Sequence, residues 1–367
     1  MKINSLKITN FRNYDKLNLN FSDNLNIIYG NNGVGKTNLV ESIYALSLTK
    51  SFRTNNDKNL IKKDELSTKI EGEVKTNTLN NYQVIINKEG KKVKIDNNII
   101  SKISDYISNI NIILLQPDEH MIFNSSPTSR RKLINIEISQ INKEYLLYLS
   151  NYNKILKQRN FYLRELFINS NASKDFLDIL TKKLIDCGLK INDYRRKFIN
   201  EINEYISNYY NKIFESGNLV VKYISDYDNK TEEELFNLYK KNYNKEINLG
   251  NTSVGIHHDD INFLLDKQNL SEWGSNGQRK NAIFSFKLAE LQIFYNKKGL
   301  YPILILDDLF SALDNEKIQK IVKLLDNDIQ TFITTTDLEK VDNKLLKNSK
   351  IFNVIDGNVM EVENGRE

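Results

Sequence analysis

Hydrophobic and polar positions alternate in the N-terminal part of the chain, a period of two that is typical of β-strands. Three short alternating runs follow one another in residues 1–29, and the last of them, at 25–29, leads directly into a glycine-containing loop. A second alternating region spans residues 68–100 and is interrupted by Lys88-Glu89-Gly90. We therefore predict a strand-turn-strand unit, a strand that enters the loop, and a later antiparallel hairpin.

The spacing of hydrophobic residues lengthens to three or four after this loop and again in the middle of the chain. Residues 37–48 show this spacing, which predicts a helix directly after the loop. The same spacing extends from about Arg130 to Phe214, where we predict a compact helical lobe. Gly188 and the polar residues 169–171 are expected to break its helices. The region is also too short to form a long coiled-coil arm.

Two strongly apolar segments near the C-terminus have the pattern of buried strands. Ile303–Leu306 is apolar without interruption and is followed by Asp307-Asp308, and Phe332-Ile333 marks a second such strand. Continuous apolar runs of this length are typical of parallel sheets that are covered on both faces. The two carboxylates are therefore expected at the end of a buried parallel strand.

Composition narrows the class of protein only slightly. Of the 367 residues 40% are hydrophobic and 27% are charged, which is ordinary for a globular protein. Lys and Arg number 52 against 47 Asp and Glu, so the formal net charge is +5. This mild excess is compatible with a polyanionic partner but does not establish one.

Cysteine and hydropathy exclude several other classes. A single cysteine, Cys187, rules out an internal disulfide framework, and with only three histidines we do not expect a Cys/His zinc site. The N-terminal residues 1–11 lack the apolar core of a signal peptide. No later segment approaches the length of a membrane span, which needs about 18 consecutive apolar residues. We therefore expect a cytoplasmic protein without a membrane partner.

The loop after the third strand fits the phosphate-binding pattern G-x-x-x-x-G-K-T. Its glycines let backbone N–H groups close around phosphate oxygens, and the helix that follows adds its positive N-terminus. Lys36 is predicted to reach the β- and γ-phosphates of ATP, and the Thr37 hydroxyl to bind Mg²⁺. The nucleotide-binding residues predicted here are Gly30, Asn31, Asn32, Gly33, Val34, Gly35, Lys36 and Thr37.

The carboxylate pair after Ile303–Leu306 supplies the second half of such a site. Asp307 is predicted to hold Mg²⁺, directly or through water, and Asp308 to orient or deprotonate the attacking water. Taken alone, this segment also fits a core strand whose Asp308 caps the next helix. Together with the phosphate loop it predicts catalysis by Lys36, Asp307 and Asp308.

These two halves of one nucleotide site lie near opposite ends of the sequence. We therefore predict an α/β fold in which a single P-loop ATPase lobe is assembled from both chain ends, with a mainly helical lobe inserted between them. The predicted boundaries are 1–120 for the first part of the ATPase lobe, 121–240 for the helical lobe and 241–367 for the second part.

Ser275-Asn276-Gly277-Gln278 precedes another segment with helical spacing. A serine in this place has an ordinary role as a helix cap. The alternative is a second phosphate clamp formed by Ser275 and the adjacent N–H groups. Such a clamp is redundant within one subunit, but it is useful if it binds the γ-phosphate held by a second copy, which predicts an ATP-dependent homodimer.

Taken together, the motifs resemble the ABC-type ATPase heads of the SMC superfamily, and most closely the RecF family of bacterial repair ATPases. The similarity extends over essentially the whole chain. Its segments are Asn10–Tyr14, residues 30–43, Lys50–Thr54, Ser126-Pro127 with Arg130-Arg131, Leu156–Asn160, Gly255–Asp260, Ser275–Gln278, and Asp307-Asp308 followed by Ser311–Asp314.

The resemblance implies roles for further residues. It implies that Gln116, which follows the apolar strand Ile112–Leu115, contacts the nucleotide and Mg²⁺, and that Arg12 approaches the phosphates. It also implies that Ser275, Gly277 and Gln278 bind nucleotide and that residues 311–314 form a D-loop communicating across the dimer. The chain departs from the usual family pattern at Phe52, Ile256, His258 and Asn276, which leaves the roles of positions 52 and 258 open.

The function implied by the resemblance is that of a weak ATPase whose nucleotide serves as a switch. ATP with Mg²⁺ would drive dimerisation of the heads on duplex or gapped DNA, and hydrolysis would release it. The implied setting is DNA repair, replication restart and the SOS response, with RecO and RecR as partners and RecA loading as the outcome.

Many basic residues of the predicted helical lobe could either contact DNA or simply lie on solvated helix faces. They are Arg130, Arg131, Lys132, Lys154, Lys157, Arg159, Arg164, Lys182, Lys183, Lys190, Arg195, Arg196 and Lys197.

Three other functions were weighed against this one. An ABC-type ATPase subunit coupled to a membrane transporter is the main alternative, but Thr334–Thr336 stands where such ATPases usually carry a switch histidine. A P-loop nuclease of the overcoming-lysogenisation type needs an acidic catalytic domain for which we expect no room after Asp314. A small-molecule kinase would have no use for the Ser275 motif or the D-loop.

Overall fold

The chain forms two compact units in the computed structural model. The residues described are 1–169, 172–214, 216–308, 313, 315–325, 328–339 and 341–362. The first unit consists of Met1–His120, Asn208–Ser216 and Lys280–Glu367. The second consists of Met121–Ser207 and Gly217–Arg279.

The described strands and helices follow one another in a mixed order. The strands are β1 (Lys2–Phe11), β2 (Tyr14–Asn20), β3 (Leu25–Tyr29), β4 (Ser67–Lys75), β5 (Leu79–Asn87), β6 (Lys91–Ile95), β7 (Asn98–Ile100), β8 (Ile112–Leu115), β9 (Leu219–Ile224), β10 (Asp260–Leu265), β11 (Gln268–Asn269), β12 (Ile303–Leu306), β13 (Thr331–Thr335), β14 (Ser349–Ile355) and β15 (Asn358–Val362). The helices are α1 (Lys36–Leu48), α2 (Ile103–Ile107), α3 (Pro127–Ile141), α4 (Lys143–Ile168), α5 (Lys174–Ile213), α6 (Glu232–Leu249), α7 (Leu270–Trp273), α8 (Asn276–Lys298), α9 (Asn315–Leu324) and α10 (Asn343–Lys347). Over the described ranges, no helix has the length and apolarity needed to cross a membrane.

The first unit contains two six-stranded sheets. One has the order β2-β1-β4-β5-β6-β7 and is antiparallel throughout. The other has the order β15-β14-β3-β13-β12-β8 and is parallel except for the β14–β15 hairpin. The structure confirms the predicted hairpin as β5 and β6, and the predicted buried strands as β12 and β13.

Helix α1 packs against strands of both sheets, β1, β4 and β5 on one side and β13 on the other. Leu39, Ile43 and Leu46 are completely buried, and each contributes about 1.5–3 kcal/mol through removal from water. Polar residues on its other faces are buried too, and Ser47 satisfies its hydroxyl by donating to the Ile110 carbonyl at 2.7 Å. Because α1 is packed on all sides, the loop that precedes it is held in a fixed place.

Both ends of the chain contribute strands to the parallel sheet, as predicted. The N-terminal strand β3 lies between β13 and β14, with Ile27 opposite both Ile333 and Ile351. The buried Gln330 side chain reinforces this arrangement, since its Oε1 accepts from the Ile3 N–H at 2.7 Å and its Nε2 donates to the Ile3 carbonyl at 2.9 Å. The two ends therefore share one core.

The second unit combines the helices α3, α4, α6 and α7 and most of α5 with the three-stranded sheet β11-β10-β9. Helices α4 and α5 run antiparallel, because Tyr194 donates to Glu144 near one end of the pair and Arg159 donates to Thr181 further along. The predicted interruption near residues 169–171 is found, since α4 ends at Ile168 and α5 begins at Lys174.

The predicted break at Gly188 is wrong. Helix α5 runs through this residue without interruption for 40 residues. A Cβ atom at position 188 would lie 2.5 Å from the Tyr227 ring, so glycine here permits close packing of the helix rather than ending it.

The second unit also extends further along the sequence than the predicted boundary at residue 240. Strand β9 pairs with β10 along its whole length, from Leu219 opposite Leu265 to Ile224 opposite Asp260. Because this pairing joins segments on both sides of residue 240, the unit continues to Arg279. Residues 208–216, which were assigned to the helical lobe, belong to the first unit.

Candidate nucleotide site

The phosphate loop has a backbone that only glycine adopts without strain. Gly30, Gly33 and Gly35 have φ angles of 151°, 85° and 122°, in the region that other residues rarely occupy. Space is also limited, because a Cβ on Gly30 would lie 2.4 Å from the Val354 carbonyl oxygen, and one on Gly35 2.7 Å from the Asn13 side chain. Gly30 and Gly35 are therefore required by both conformation and packing, and Gly33 by its conformation alone.

The loop ends at the N-terminus of α1, where backbone N–H groups face outward. Gly35 is the N-cap residue, and no side chain caps the helix there. The first intrahelical bond is formed by the Leu39 N–H, which donates to the Gly35 carbonyl at 3.0 Å. The N–H groups of the first turn and the positive end of the helix dipole are together suited to bind an anion.

Two residues that the sequence analysis did not assign to the site support this loop. The Asn13 side-chain amide donates to the Val34 carbonyl at 3.1 Å, and the Tyr14 hydroxyl donates to the Gly35 carbonyl at 3.0 Å. Tyr14 is completely buried, and burial raises the pKa of its hydroxyl, which stays protonated as a donor. Both belong to the Asn10–Tyr14 segment of the family resemblance, which could have indicated them.

Lys36 lies over the loop that precedes it. Its ammonium donates to the carbonyls of Gly30 and Asn31, both at 2.8 Å. Burial lowers the pKa of Lys36, while the charges of Asp308 and Asp307 act in the opposite direction. The predicted catalytic lysine and the two carboxylates therefore lie in one electrostatic environment.

The Asp307 carboxylate accepts hydrogen bonds from three other side chains of the site. Its Oδ1 accepts from the hydroxyls of Thr334 at 2.7 Å and Thr37 at 3.2 Å, and its Oδ2 accepts from the Gln116 amide at 3.3 Å. The carboxylate is only 4% exposed. Burial raises the pKa of Asp307, and the hydrogen bonds from Thr334, Gln116 and Thr37 oppose this shift because they favour the ionised form.

This convergence brings together residues from four separate parts of the chain. Thr37 follows the phosphate loop, Gln116 follows β8, Asp307 follows β12, and Thr334 lies in β13. Since β8, β12 and β13 are parallel neighbours, their carboxyl ends meet at the same edge of the sheet. This edge is where ligands bind in open α/β sheets.

Asp308 has an unusual backbone conformation beside this cluster. Its φ angle is 51°, in the left-handed region, and its N–H donates to the Thr334 hydroxyl at 2.8 Å. Thr334 therefore contacts both members of the carboxylate pair. In the sequence, Thr334 stands out only as part of a segment without a histidine, although its place at the end of a strand next to β12 could have indicated this role.

The donor set at Asp307 fits Mg²⁺. Mg²⁺ prefers oxygen ligands and is usually held by one or two carboxylates together with substrate phosphates and water. The Asp307 carboxylate, the Thr37 hydroxyl and the Gln116 side-chain oxygen are of this type. The described parts of the chain contain no group of three or more His, Cys, Asp or Glu side chains that could hold a metal ion.

Arg12 lies against α1. Its guanidinium donates to Glu41 through Nε at 2.8 Å and through Nη2 at 2.6 Å. Glu41 is completely buried and also accepts a hydrogen bond from the Ser51 hydroxyl. The arginine therefore neutralises a buried carboxylate one turn after Thr37, and its approach to bound phosphates stays a prediction.

The Ser275 motif forms the N-terminus of α8. The Gln278 N–H donates to the Ser275 hydroxyl at 3.2 Å, and the Ser275 N–H donates to Oε1 of Gln278 at 2.9 Å. This reciprocal pair is a capping box, so the ordinary role of the serine is present. Ser275 and Gly277 are exposed, and their role as a second phosphate clamp stays a prediction.

Two departures from the family pattern have structural contacts. The Phe52 ring packs edge-on against Tyr44 with centroids 5.2 Å apart. The His258 ring lies 4.1 Å from the His257 ring, and its Nε2 is 3.2 Å from the Thr252 carbonyl. The D-loop predicted at 311–314 lies, apart from Leu313, outside the described residues.

Three of the arginines considered as possible DNA contacts are buried in the second unit and form ion pairs there. Arg159 is completely buried and pairs with Glu246 at 2.7 Å, and Arg195 is 1% exposed and pairs with Asp259 at 2.6 Å. Arg130 binds Asp260 through two hydrogen bonds. The basic residues that stay exposed are Lys132, Lys154, Lys157, Arg164, Lys182, Lys183, Lys190, Arg196 and Lys197.

Known proteins resemble the chain throughout its length. Residues 2–359 match the family model described as "RecF/RecN/SMC N terminal domain". The DNA replication and repair protein RecF of Ligilactobacillus salivarius is 35% identical, and the alignment covers 98% of each chain. The RecF protein of Bacillus cereus strain G9842 is similar to the same extent.

Solved structures agree with this similarity. The recombination mediator protein RecF with ATP superposes with a TM-score of 0.91 at 28% identity, covering 98% of this chain and 97% of that one. An Smc head bound to a winged-helix domain of ScpA shares the fold, with a TM-score of 0.55 at 16% identity. The predicted ABC/SMC-type ATPase head is therefore confirmed as the fold. The chain belongs to the RecF/RecN/SMC family, and within it to the RecF proteins of DNA replication and repair.

Proposed function

We propose that this protein is a weak ATPase that uses ATP as a switch for binding DNA during recombinational repair and replication restart. The convergence of Thr37, Gln116 and Thr334 on Asp307 is the observation that carries this proposal. It joins the phosphate loop to the carboxylate pair at one sheet edge. The similarity to RecF proteins, one of them solved with ATP, supports the choice of nucleotide.

Each residue of the site has a distinct task in the proposed reaction. The N–H groups at the start of α1 and the Lys36 ammonium bind the phosphates of ATP. Thr37, Asp307 and Gln116 would hold Mg²⁺, which supplies positive charge next to the phosphates when bound. Asp308 orients the attacking water and accepts its proton, and the products are ADP and phosphate.

The switch depends on a second copy of the chain. Ser275, Gly277 and Gln278 of one copy bind the γ-phosphate held in the phosphate loop of the other, so that ATP joins the two heads. A ligand can favour the closed dimer only if it binds that state more tightly than the open one. Hydrolysis removes this shared γ-phosphate contact and releases the dimer.

DNA is the proposed partner of the closed dimer. Exposed lysines of the second unit, such as Lys154 and Lys157 on α4, are suited to contact phosphates of duplex or gapped DNA. We further propose, from the similarity to RecF alone, that the protein acts with RecO and RecR to help RecA load. The chain matches a DNA replication and repair protein over 98% of both lengths, which favours this function over that of a transporter-coupled ATPase.

Sedimentation with and without ATP and Mg²⁺ tests this switch. Ser275→Arg is expected to retain ATP binding but to lose ATP-dependent dimerisation, because the larger cation occupies the proposed γ-phosphate position of the partner. Lys36→Ala is the contrasting variant, which is expected to lose ATP binding as well. A Ser275→Arg protein that dimerises normally with ATP would remove the two-headed arrangement from the proposal.

A further inference from the structure

The only tryptophan of the chain is unusually exposed next to the Ser275 motif. Trp273 is the last residue of α7, two positions before Ser275, and it is 75% exposed. Single exposed hydrophobic residues are common on protein surfaces and need no explanation. The setting of Trp273 differs because the backbone around it is firmly held.

Arg279 fixes the turn that carries Trp273. Its guanidinium donates to the Leu270 carbonyl at 2.8 Å, to the Ser271 carbonyl at 3.0 Å and to the Asn124 side chain at 2.8 Å. Leu270 is 2% exposed and anchors the start of α7. Trp273 is therefore displayed on a rigid base rather than on a loose loop.

Gly274 makes the turn tight and links it to the motif. A Cβ at this position would lie 2.7 Å from the Leu270 carbonyl oxygen and 2.9 Å from its side chain. The Gly274 N–H donates to that same carbonyl at 3.1 Å. Trp273 therefore lies in a closed turn that leads directly into Ser275.

We propose that Trp273 is an anchor residue of the ATP-dependent contact between two copies of this chain. This inference rests on the proposed function, in which the Ser275 motif meets the phosphate loop of a second copy. The exposed tip of that loop, Asn31–Gly33, offers side-chain amides and bare glycine backbone. An indole ring packs flat on such a surface, and its N–H can donate to an exposed carbonyl or amide oxygen.

The physical advantage of tryptophan in this place is its large area. An aromatic side chain of this size buries about 150–250 Å², and it loses little rotamer freedom on binding because only two side-chain torsions are ordered. Because Arg279 already holds the backbone of this turn, association does not have to order the chain that carries Trp273. Tryptophan is accordingly among the residues that most often dominate an interface.

Intrinsic fluorescence tests the proposal directly, because Trp273 is the sole tryptophan. With Mg²⁺ and a non-hydrolysable ATP analogue, the emission of the natural chain is expected to shift to shorter wavelength as the indole leaves water. The shift should follow protein concentration in parallel with dimer formation by sedimentation. It should be absent in Ser275→Arg, and a shift in that monomeric variant would overturn the proposal, since the burial would then occur within one copy.

Substitution of Trp273 measures its share of the contact. Trp273→Ala is expected to weaken analogue-dependent dimerisation by about tenfold or more, with nucleotide binding by the monomer unchanged. Trp273→Phe should retain an intermediate affinity. Phe161→Ala is the matched control, since Phe161 is an aromatic residue of the same unit and is 63% exposed; its dimerisation should equal that of the natural chain.

The outcomes separate this inference from the proposed function. If the natural chain dimerises with the analogue but its emission and the affinity of Trp273→Ala are unchanged, the anchor role of Trp273 is wrong while the ATP-joined dimer stands. If the natural chain stays monomeric under all conditions, the ATP-joined dimer is wrong and the anchor role falls with it.

Discussion

At the scale of single residues, the buried threonine Thr334 connects the Asp307 carboxylate to the backbone of Asp308. Its hydroxyl donates to Asp307 at 2.7 Å and accepts from the Asp308 N–H at 2.8 Å. The left-handed conformation of Asp308 is an uncommon one that needs support from its surroundings. Thr334 thus acts as a positioning residue for both acids.

Replacing Thr334 with valine tests this role while conserving shape. Thr334→Val is expected to lower the rate of ATP hydrolysis about tenfold, since a misplaced catalytic group costs roughly one or two orders of magnitude, while ATP affinity changes little. Steady-state hydrolysis and equilibrium nucleotide binding measure the two effects.

A matched control exists in the same strand. Thr331 is also buried, at the other end of β13, and its hydroxyl donates to the Ile329 carbonyl at 3.3 Å. Thr331→Val is therefore expected to hydrolyse ATP at the natural rate. Equal rates for Thr334→Val and the natural chain would deny Thr334 its positioning role.

At the scale of elements, Gly188 shows how packing overrides local propensity. Glycine in a helix interior costs about 1 kcal/mol relative to alanine, and this is the reason why the sequence predicted a break. The helix is nevertheless continuous, because the absence of a side chain lets α5 approach Tyr227. Tyr227 in turn is held by a hydrogen bond of 2.9 Å to the Tyr239 hydroxyl and cannot move away freely.

Alanine at position 188 is therefore expected to destabilise the protein despite its better helix propensity. The new Cβ would meet the Tyr227 ring at 2.5 Å, and overpacking of this kind costs about 1–3 kcal/mol. Urea unfolding followed by circular dichroism would measure the change in the midpoint.

The effect of Gly188→Ala on stability should change sign once the Tyr227 ring is removed. In a Tyr227→Ala background, Gly188→Ala is expected to stabilise relative to Tyr227→Ala alone, since only the propensity difference is left. Lys190→Ala, at an exposed position of the same helix, is the control and should change stability by no more than about 0.5 kcal/mol. Destabilisation by Gly188→Ala in both backgrounds would show that contact with Tyr227 is not the cause.

At the scale of the whole molecule, the basic residues fall into two groups, buried arginines that form ion pairs and exposed lysines. The buried pairs Arg159–Glu246 and Arg195–Asp259 join helices of the second unit to its later segments. Removing one partner of such a pair typically costs about 3–5 kcal/mol, because the other charge is left buried and unpaired. Lys154 and Lys157 are exposed on α4, and they are the better candidates for contacts to DNA phosphates.

Salt dependence of DNA binding tests this division. The logarithm of the affinity for duplex DNA is expected to fall with the logarithm of salt concentration by about 0.9 per phosphate contact. The double variant Lys154→Gln, Lys157→Gln should lower the slope by the amount that corresponds to about two phosphate contacts. Fluorescence anisotropy of a labelled duplex over a salt series would measure it.

The control for this experiment is a lysine already engaged within the protein. Lys240 lies 3.1 Å from Asp178 and over the Phe236 ring, so Lys240→Gln is expected to leave the slope unchanged. A natural chain whose affinity hardly responds to salt would contradict binding through the DNA backbone.

Sequence patterns were sufficient wherever the relevant residues are neighbours along the chain. The phosphate loop, the strand that enters it, the helix that leaves it and the strand ending in Asp307-Asp308 were all predicted, because each depends on a few consecutive residues. The assembly of one lobe from both chain ends was predicted as well, since the two halves of a nucleotide site must meet. Local periodicity and the chemistry of the ligand thus determined the fold class and the centre of the site.

Tertiary packing decided the features whose partners are far apart in sequence. Thr334 reaches the Asp307 carboxylate and the Asp308 N–H because β13 pairs with β12. Arg195 pairs with Asp259, which lies 64 positions further along the sequence. The end of the second unit at Arg279 likewise depends on the pairing of β9 with β10. A single sequence does not specify which distant side chains are buried together in a low-dielectric interior. This common burial determines which charged residues form structural ion pairs and which are free to bind a partner.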